Sequence, residues 1–391
     1  MFGHARGRRP QRGKPSMLIV SFSELVNDAR VLKQINLFKD EWDVTTCGYG
    51  PTPIEGVQHL QIPDGERSMS LDGRLITLRQ YRAAYENLAA VKAARRLLKG
   101  RKGDFDVVFA NEPDTVPIAL SLAPKKGLHV DLHEYNPSLH EHLPAWNKRI
   151  KPYQEWLIRR FTTKANSWTS PGVGVSKKYQ DKFGISPGTV TNAAPPTAFE
   201  PTEVGEKIRF VHHGGAQRNR NPQVMIQGFM DSDVKGTFDL YLTGIDPVVR
   251  EEMRSLAAAD DRITIHHGVP YDQLLATLNG YDMGIFVLPP VTFNYEWALP
   301  NKLFDFVQAR LGQISSPNPE MAQTVEAFDI GLVTHGYEAE DLTRALNALT
   351  VEDVRQWKAN AHKHARTLSS EPQVAKWKES VDLLAGPNSA D

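Results

Sequence analysis

Two short clusters in the second half of the chain combine glycine, arginine and lysine in a pattern suited to binding phosphate. The first is V-H-H-G-G-A-Q-R-N-R-N-P at residues 211–222, between a predicted strand and a predicted helix. Gly214 and Gly215 let the backbone approach a ligand closely, and Arg218 and Arg220 can neutralise a phosphate group beside the helix N-terminus. A simple glycine turn with two exposed arginines fits the same residues, so the local pattern leaves both interpretations open.

The second cluster is N-Y-E-W-A-L-P-N-K-L-F-D-F at residues 294–306. Pro300 is well placed near the start of a helix, where the backbone N–H groups of Asn301 and Lys302 would point at a ligand. The Lys302 side chain adds positive charge, and Asp305 lies about one turn further on, where it could bond a hydroxyl group. An ordinary capped helix is the alternative.

A third cluster, D-L-H-E-Y at residues 131–135, follows a predicted strand in the first half of the chain. His133 is suited to proton transfer or to hydrogen bonding with sugar hydroxyls, and Asp131 and Glu134 are carboxylates beside it. A structural loop histidine and a paired-acid hydrolase are the alternatives, because the separation of the two carboxylates cannot be read from the sequence.

Composition excludes several classes of protein. The chain has 391 residues, which suggests two domains, and a single cysteine, Cys47, which excludes a disulfide framework and a multi-cysteine metal site. The basic N-terminus has no apolar stretch, so we expect no signal peptide and a disordered tail. Residues 1–200 carry 29 basic and 20 acidic side chains, while the rest carry 17 and 26. This asymmetry suggests an anionic partner for the first half, either nucleic acid or a membrane surface; a solvated face is the alternative.

Apolar runs and helical periodicity alternate along the chain in two successive series. The first series begins with a strand at Met17–Phe22, and the second begins with a strand at Ile208–His212, after the Pro-rich segment A-A-P-P-T-A-F-E-P. We predict two doubly wound α/β domains with ligands at the carboxyl ends of the strands. The periodicity also predicts one long helical stretch over 68–100 and a strand stub at Val173–Val175.

The motifs G-x-G-x-x-G, P-loop, G-x-S-x-G and H-E-x-x-H do not occur, which argues against a dinucleotide oxidoreductase, a P-loop NTPase, an α/β hydrolase and a zincin. Instead, the clusters resemble those of the GT-B-fold retaining glycosyltransferases of bacterial glycosyltransferase family 4. The most specific part is A-L-P-N-K-L-F-D-F at residues 298–306. The stretches H-H-G-G with R-N-R, D-L-H-E-Y, G-V-G-V-S at 172–176 and T-N-A-A-P at 191–195 are also similar to family markers.

The resemblance implies a GT-B fold, with two Rossmann-like domains facing each other across a cleft. We expect a basic tail (1–16), an acceptor-side domain (17–196), a linker (197–206), a nucleotide-sugar-binding domain (207–370) and a C-terminal helix and tail that return to the first domain (371–391).

The resemblance also assigns candidate roles, residue by residue. Arg220 and Lys302 would hold the donor diphosphate, with His133 near the transferred sugar and Asp131 and Glu134 on the acceptor side. The remaining donor-binding candidates are Gly214, Gly215, Arg218, Val269, Glu296, Asn301 and Asp305. Trp297 stands where the family has a glutamate, and Glu296 precedes it by one residue.

The implied function is transfer of a sugar from a nucleoside diphosphate to a glycan or lipid-linked acceptor, with retention, in cell-envelope polysaccharide or glycolipid synthesis. We expect no cofactor beyond the nucleotide-sugar co-substrate, no metal, no nucleic-acid partner, and a cytoplasmic location, peripheral on the inner face of the membrane. The alternatives are an inactive GT-B-like binding or partner subunit and a nucleotide-sugar epimerase.

Overall fold

The computed structural model describes residues 13–244 and 246–386, and it divides into two compact units. The first unit comprises Met1–Pro171, Val175–Val190 and Val374–Asp391. The second unit comprises Gly172–Gly174 and Thr191–Gln373. Most of the expected basic tail, residues 1–12, lies outside the described residues. In the described part of the chain, no helix has both the length and the apolar character that a membrane crossing requires.

The first unit contains a parallel sheet flanked by helices. Its strands are β1 (Ser16–Glu24), β2 (Asp43–Tyr49), β3 (Gln58–Gln61), β4 (Val107–Asn111), β5 (Gly127–Asp131), β6 (Ser167–Ser170) and β7 (Gly188–Thr189). Its helices are α1 (Ala29–Phe38), α2 (Gly73–Thr77), α3 (Tyr81–Glu86), α4 (Ala89–Leu97), α5 (Val116–Ser121), α6 (Lys151–Arg160) and α7 (Val173–Phe183), the last beginning at the boundary of the two units.

The strand order in this sheet is β3-β2-β1-β4-β5-β6-β7, so the order reverses between β1 and β4. Asn111 at the end of β4 lies opposite Asp131 at the end of β5, which in turn lies opposite Thr169 of β6. This register places three polar residues side by side at the carboxyl edge, next to the reversal point where doubly wound folds bind ligands.

The second unit repeats the plan with a six-stranded parallel sheet. Its strands are β8 (Ile208–Gly215), β9 (Gly236–Thr243), β10 (Ile263–His267), β11 (Met283–Phe286), β12 (Gly312–Ser315) and β13 (Gly331–Val333). Its helices are α8 (Gln223–Met230), α9 (Pro247–Ala257), α10 (Tyr271–Asn279), α11 (Phe293–Glu296), α12 (Asn301–Gln308), α13 (Pro319–Ala327), α14 (Ala339–Ala348) and α15 (Val351–His364).

The order β10-β9-β8-β11-β12-β13 reverses between β8 and β11. Neighbouring residues on these two strands enter different apolar clusters: Phe210 and Ile285 one, Val211 and Phe286 the other. Both faces of the sheet are therefore buried, which explains the nearly continuous apolar runs that predicted these strands. The two predicted doubly wound α/β domains are confirmed.

The chain returns to the first unit in its last helix, α16 (Glu371–Ala385). Trp377 and Val381 of this helix are buried in the apolar cluster that also contains Phe38 of α1 and Phe109 of β4. The C-terminal helix thus contributes to the core of the first unit.

The boundary between the units lies between Val190 and Thr191, ahead of the expected linker at 197–206. Residues of that expected linker pack on the second unit: the Thr197 hydroxyl donates to the Gln308 carbonyl at 2.6 Å, and Val204 is buried.

Two local predictions are wrong. The stretch 68–100 contains three short helices in place of one, because Arg79 adopts a positive φ of 55° after α2 and the chain breaks again at Leu88 before α4. Residues 173–175 begin α7 and form no strand stub. The strand lies earlier, at Ser167–Ser170.

Candidate ligand sites at the carboxyl ends of the two sheets

A buried lysine lies at the reversal point of the second sheet. Lys302 is the second residue of α12, and its side chain packs against the end of β8, where a Cβ atom on Gly214 would lie 2.9 Å from the lysine Cε and Nζ. Gly214 also has a φ of +105°, which side chains disfavour. Two requirements, conformation and space, therefore select glycine at this position.

Lys302 has no salt bridge within the part of the chain that the structure describes, although the residue is only 9% exposed. Its Nζ lies 4.8 Å from the centre of the Phe286 ring, a contact that stabilises a cation without neutralising it. Burial, together with the charge of Arg220, lowers the pKa of Lys302 to about 8, against a smaller opposing effect of Asp305. A buried cation in this state is stabilised by an anionic ligand.

Arg220 is the second cation of this site. It ends a short 3-10 turn, Arg218–Arg220, and its Nε lies 3.5 Å from the Tyr295 hydroxyl, with the guanidinium carbon 5.6 Å from the centre of that ring. A Cβ atom on Gly215 would be 4.0 Å from Arg220 Nη1. Arg218, by contrast, is exposed and donates to Glu252 at 2.9 Å. The two arginines of the cluster therefore have different surroundings.

The start of α12 adds backbone donors to the same place. Pro300 is the residue before the helix, and no side chain caps the first turn. The first N–H groups, beginning with that of the exposed Asn301, therefore have no intrahelical partner. Together with Lys302, this helix N-terminus forms a site for phosphate oxygens.

Two buried histidines line the end of β8. His212 Nδ1 donates to the Ile285 carbonyl at 2.9 Å, and burial with the charge of Lys302 lowers its pKa to about 3. His213 lies with its Nε2 3.5 Å from an Asp305 oxygen, and burial and Lys302 hold its pKa well below the ordinary value. Both imidazoles are therefore neutral at physiological pH.

The other candidates of this unit lie on neighbouring loops. Val269 follows β10 and is half-buried against the core, and Glu296 is exposed at the end of α11. Trp297 packs so closely on Gly174 that a Cβ atom there would be 2.0 Å from its ring. Trp297, which stands where the family that the sequence resembles has a glutamate, thus has a packing contact of its own.

In the first unit, Asp131 is fully buried and holds other side chains. Arg30 of α1 donates to both carboxylate oxygens, at 2.6 and 2.8 Å, and Gln34 and Thr169 donate at 2.9 and 2.6 Å. Burial raises the pKa of Asp131, but the charge and hydrogen bonds of Arg30 and His133 lower it more, so the pKa stays far below its usual range. We expected Asp131 to contact an acceptor, but its oxygens are occupied by protein groups.

His133 is the half-buried member of this cluster. Its Nε2 lies 2.9 Å from Asn111 Oδ1 and 3.4 Å from Asp131 Oδ2. Burial lowers the pKa of His133, but the hydrogen bond to Asp131 and the charges of Glu112 and Asp131 raise it more, so the net direction is upward. Glu134, the residue after His133, is exposed.

Arg30 and Glu112 are the residues that sequence reasoning missed. Glu112, which follows β4, accepts from the His133 backbone N–H and from the Asn136 side chain, and so holds the loop after β5. Its position after a buried strand is a signal that could have identified it. Arg30 lies on a helix about 100 residues from Asp131, and no local pattern marks it.

Comparison with known proteins supplies the fold class. No family profile and no curated protein matches the sequence. Solved structures do match over nearly the whole chain. Sucrose-phosphate synthase from Thermosynechococcus elongatus is 13% identical, with coverage of 95% of this chain and 99% of the other and a TM-score of 0.70.

Two other solved structures are similar to this chain over nearly its whole length. HepE of Anabaena in complex with UDP-glucose is 12% identical, with 94% and 99% coverage and a TM-score of 0.65. A Listeria monocytogenes protein provisionally described as a UDP-N-acetylglucosamine 2-epimerase is 10% identical, with 95% and 96% coverage and a TM-score of 0.58.

The chain has the GT-B fold. At these identities the likeness establishes architecture alone, and the chemistry must be argued from the side chains. In the described residues, no group of three or more His, Cys, Asp or Glu side chains is arranged to hold a metal ion.

Proposed function

We propose that this GT-B chain is a glycosyltransferase that uses a nucleoside diphosphate sugar as donor. The observation that carries the proposal is Lys302, a buried ammonium group against Gly214 with no salt bridge in the described residues and with Arg220 nearby. A diphosphate would supply the missing negative charge. HepE, a structural neighbour, binds UDP-glucose, which supports a nucleotide sugar as the ligand.

The proposed chemistry is electrostatic and needs no metal. The bond between the sugar C1 and the diphosphate oxygen breaks, and Lys302, Arg220 and the α12 N-terminus at Asn301 stabilise the charge that develops on the leaving group. An acceptor hydroxyl attacks C1 from the same face through an oxocarbenium-like state, so the configuration is retained. The hydroxyl proton leaves with the diphosphate, and no enzyme nucleophile takes part.

The remaining residues position the two substrates. Asp305 would bond the ribose hydroxyls, the backbone at Val269 would contact the base, and Glu296 would contact the sugar. In the first unit, His133 would bond the transferred sugar or the acceptor hydroxyl, and the exposed Glu134 would lie on the acceptor side. We propose a glycan or lipid-linked acceptor and a role in cell-envelope synthesis.

Two other functions have some support. Trp297 in place of the family glutamate favours a subunit that binds the donor without turning it over. The likeness to the Listeria protein favours an epimerase. The three differ in an observable way: transfer needs an acceptor, epimerisation changes the donor alone, and a binding subunit leaves the donor intact.

The first experiment is a thermal-shift screen of nucleotide sugars against the full chain. A donor at 100 times its Kd stabilises the protein by about 2.7 kcal/mol, which gives a clear rise in Tm. Arg220→Ala should weaken this donor about 10- to 100-fold, because a charge-assisted contact to the diphosphate is lost. Lys235→Ala is the control, since Lys235 is exposed and precedes β9 at the amino edge of the sheet.

The second experiment incubates the identified donor with and without candidate acceptors and analyses the products. Acceptor-dependent release of the nucleoside diphosphate supports the transferase, and Asp305→Ala should then raise the donor KM with the acceptor KM unchanged. Donor binding without any turnover favours the binding subunit, and an altered sugar without acceptor favours the epimerase. Absence of donor binding, or equal binding by Arg220→Ala and the unsubstituted protein, contradicts the proposed site.

A further inference from the structure

A chain of oriented hydrogen bonds connects the buried Asp131 to the imidazole of His133. Asp131 Oδ2 accepts from Gln34 Nε2 at 2.9 Å, and the same nitrogen donates to Asn111 Oδ1 at 2.9 Å. Asn111 Nδ2 returns a bond to Gln34 Oε1 at 2.9 Å. Asn111 Oδ1 then faces His133 Nε2.

The direction of each hydrogen bond in this chain follows from Asp131, its first group. An ionised carboxylate can only accept, so the nitrogen of the Gln34 amide must face Asp131. Gln34 therefore presents its oxygen to Asn111 Nδ2, and Asn111 presents its own oxygen to the histidine. His133 Nε2 faces two acceptors, Asn111 Oδ1 at 2.9 Å and Asp131 Oδ2 at 3.4 Å, so the proton of the neutral imidazole belongs on Nε2.

Asp131 itself is held in one orientation. Besides Arg30, its Oδ1 faces the Thr169 hydroxyl at 2.6 Å and the indole N–H of Trp377, on the C-terminal helix, at 3.4 Å. Arg30 also donates to the Val190 carbonyl at 2.8 Å. Because these donors come from α1, β6 and α16, the carboxylate cannot rotate without breaking contacts with several elements.

We propose that Asp131 is a positioning residue that fixes the tautomer of His133, directly and through Gln34 and Asn111. The proton is kept on Nε2, and Nδ1 is left as the nitrogen that can accept a hydrogen bond. Nδ1 has no hydrogen-bond partner in the described residues, and the His133 side chain is 22% exposed. Only the meaning of this arrangement for catalysis rests on the proposed function: Nδ1 would accept a bond from a substrate hydroxyl.

Replacement of Asp131 by asparagine should reverse the direction of the hydrogen bonds that connect residue 131 to His133. Arg30 donates to both oxygen positions and so does not distinguish them, whereas Thr169 and Trp377 donate to the Oδ1 position alone. The new amide nitrogen should therefore take the position of Oδ2, where it faces Gln34. Gln34 then turns its oxygen toward residue 131, Asn111 turns its nitrogen toward the histidine, and Nε2 becomes the acceptor. The proton should therefore move to Nδ1 in Asp131→Asn. The pKa of His133 should fall, since the hydrogen bond to Asp131 and its negative charge are lost while Glu112 and Arg30 remain.

The test is long-range 1H–15N NMR of the full chain with labelled histidine, with the His133 signals assigned by comparison with His133→Gln. We expect the Nε2–H form at high pH in the unsubstituted protein and the Nδ1–H form in Asp131→Asn. Gln34→Met, which removes the amide that orients Asn111, should make the Nδ1–H form detectable beside the other. Gln154→Met is the matched control, because Gln154 is a buried glutamine of the same unit on α6.

This readout needs no substrate, so it stands apart from the outcome of the donor experiments. If Asp131→Asn does not fold because Arg30 is left unpaired, the unsubstituted protein and Gln34→Met decide the question. An Nδ1–H tautomer in the unsubstituted protein, or an unchanged tautomer in every folded variant, overturns the proposal.

Discussion

The side chain of Lys302 occupies the space that a Cβ atom on Gly214 would need, with Cε and Nζ both 2.9 Å from that position. A glycine at the end of β8 and a lysine at the start of α12 are thus mutually dependent, although 88 residues separate them. The ammonium group has no salt bridge in the described part of the chain, and Lys302 belongs to the uncapped first turn of α12. This arrangement is suited to an anion that approaches the backbone closely.

Gly214→Ala should weaken nucleotide-sugar binding about 10- to 100-fold, because the added methyl displaces the Lys302 ammonium group from the diphosphate. The positive φ of Gly214 adds backbone strain, so Tm should also fall slightly. Isothermal titration with the donor found in the screen measures the first effect. Gly205→Ala is the matched control, since Gly205 has open space around it. Equal donor affinity in the two variants would remove Gly214 from the site.

Donor affinity should decrease as the pH rises through about 8. The free protein holds the pKa of Lys302 at about 8 because burial disfavours the charged form, whereas a bound diphosphate favours that form and raises the pKa. Affinity is therefore constant below this pH and falls about tenfold per pH unit above it. Titrations of a nucleotide sugar from pH 7 to pH 9.5 test this prediction. Lys302→Met should bind weakly with no such slope; a slope that persists in this variant would assign it to another group.

The same group makes an opposite contribution to folding stability. In the unfolded chain Lys302 titrates near 10.5, above its folded value of about 8, so the unfolded state binds more protons between these limits. The titration of Lys302 therefore increases the free energy of unfolding of the ligand-free protein as the pH rises from about 8 to 10.5. The pH dependences of binding and of stability thus have opposite signs.

Loss of one partner from the ion-pair network around Asp282 should destabilise the second unit. Asp282 is fully buried and accepts from Lys358 Nζ at 2.9 Å and from Arg209 at 2.8 and 2.9 Å. Lys358→Met leaves part of this carboxylate unpaired and should reduce the free energy of unfolding by about 3 kcal/mol, or Tm by about 6 to 12 °C. Calorimetry measures the change against Lys235→Met, an exposed control. A loss below about 1 kcal/mol would show that Arg209 alone is sufficient.

The basic end of α4 should attach the protein weakly to anionic membranes. The structure pairs three of the five charges that motivate this prediction: Arg95 with Glu86, Arg96 with Glu66 and Arg101 with Asp104. Lys99 and Lys102 are exposed and have no ion pair within the described range, so each should contribute about 1 kcal/mol.

Liposome sedimentation tests this attachment. Binding should require anionic lipid, decrease in high salt and weaken in a Lys99→Glu, Lys102→Glu double variant, with Lys235→Glu as the control. Equal sedimentation with neutral vesicles would show that the charge asymmetry is only a solvated face.

Local sequence pattern was sufficient to predict the architecture and to select candidate phosphate-binding residues in the second unit. Strand runs such as Met17–Phe22 and Ile208–His212 alternate with helical periodicity, and this alternation predicts doubly wound sheets because each element buries its own apolar residues. Gly214, Lys302 and Asn301 could be selected as candidate donor-binding residues because each belongs to a short motif at a strand end or a helix start. The conformation of a turn and the position of a helix start depend mainly on residues that are close in sequence, so a short motif is enough to predict them.

Tertiary structure alone decided what surrounds those motifs. Asp131 meets Arg30 of α1 and Trp377 of α16 because sheet register and the returning C-terminal helix bring together residues 101 and 246 positions apart. No local pattern encodes these contacts, in which the fully buried Asp131 accepts hydrogen bonds from protein donors on several elements. The helical spacing within 68–100 agrees with the burial of Tyr85, Leu88 and Val91, but it did not predict the positive φ of Arg79 or the break at Leu88 that divide the stretch into three helices. Periodicity specifies which residues are buried, whereas packing determines where they meet.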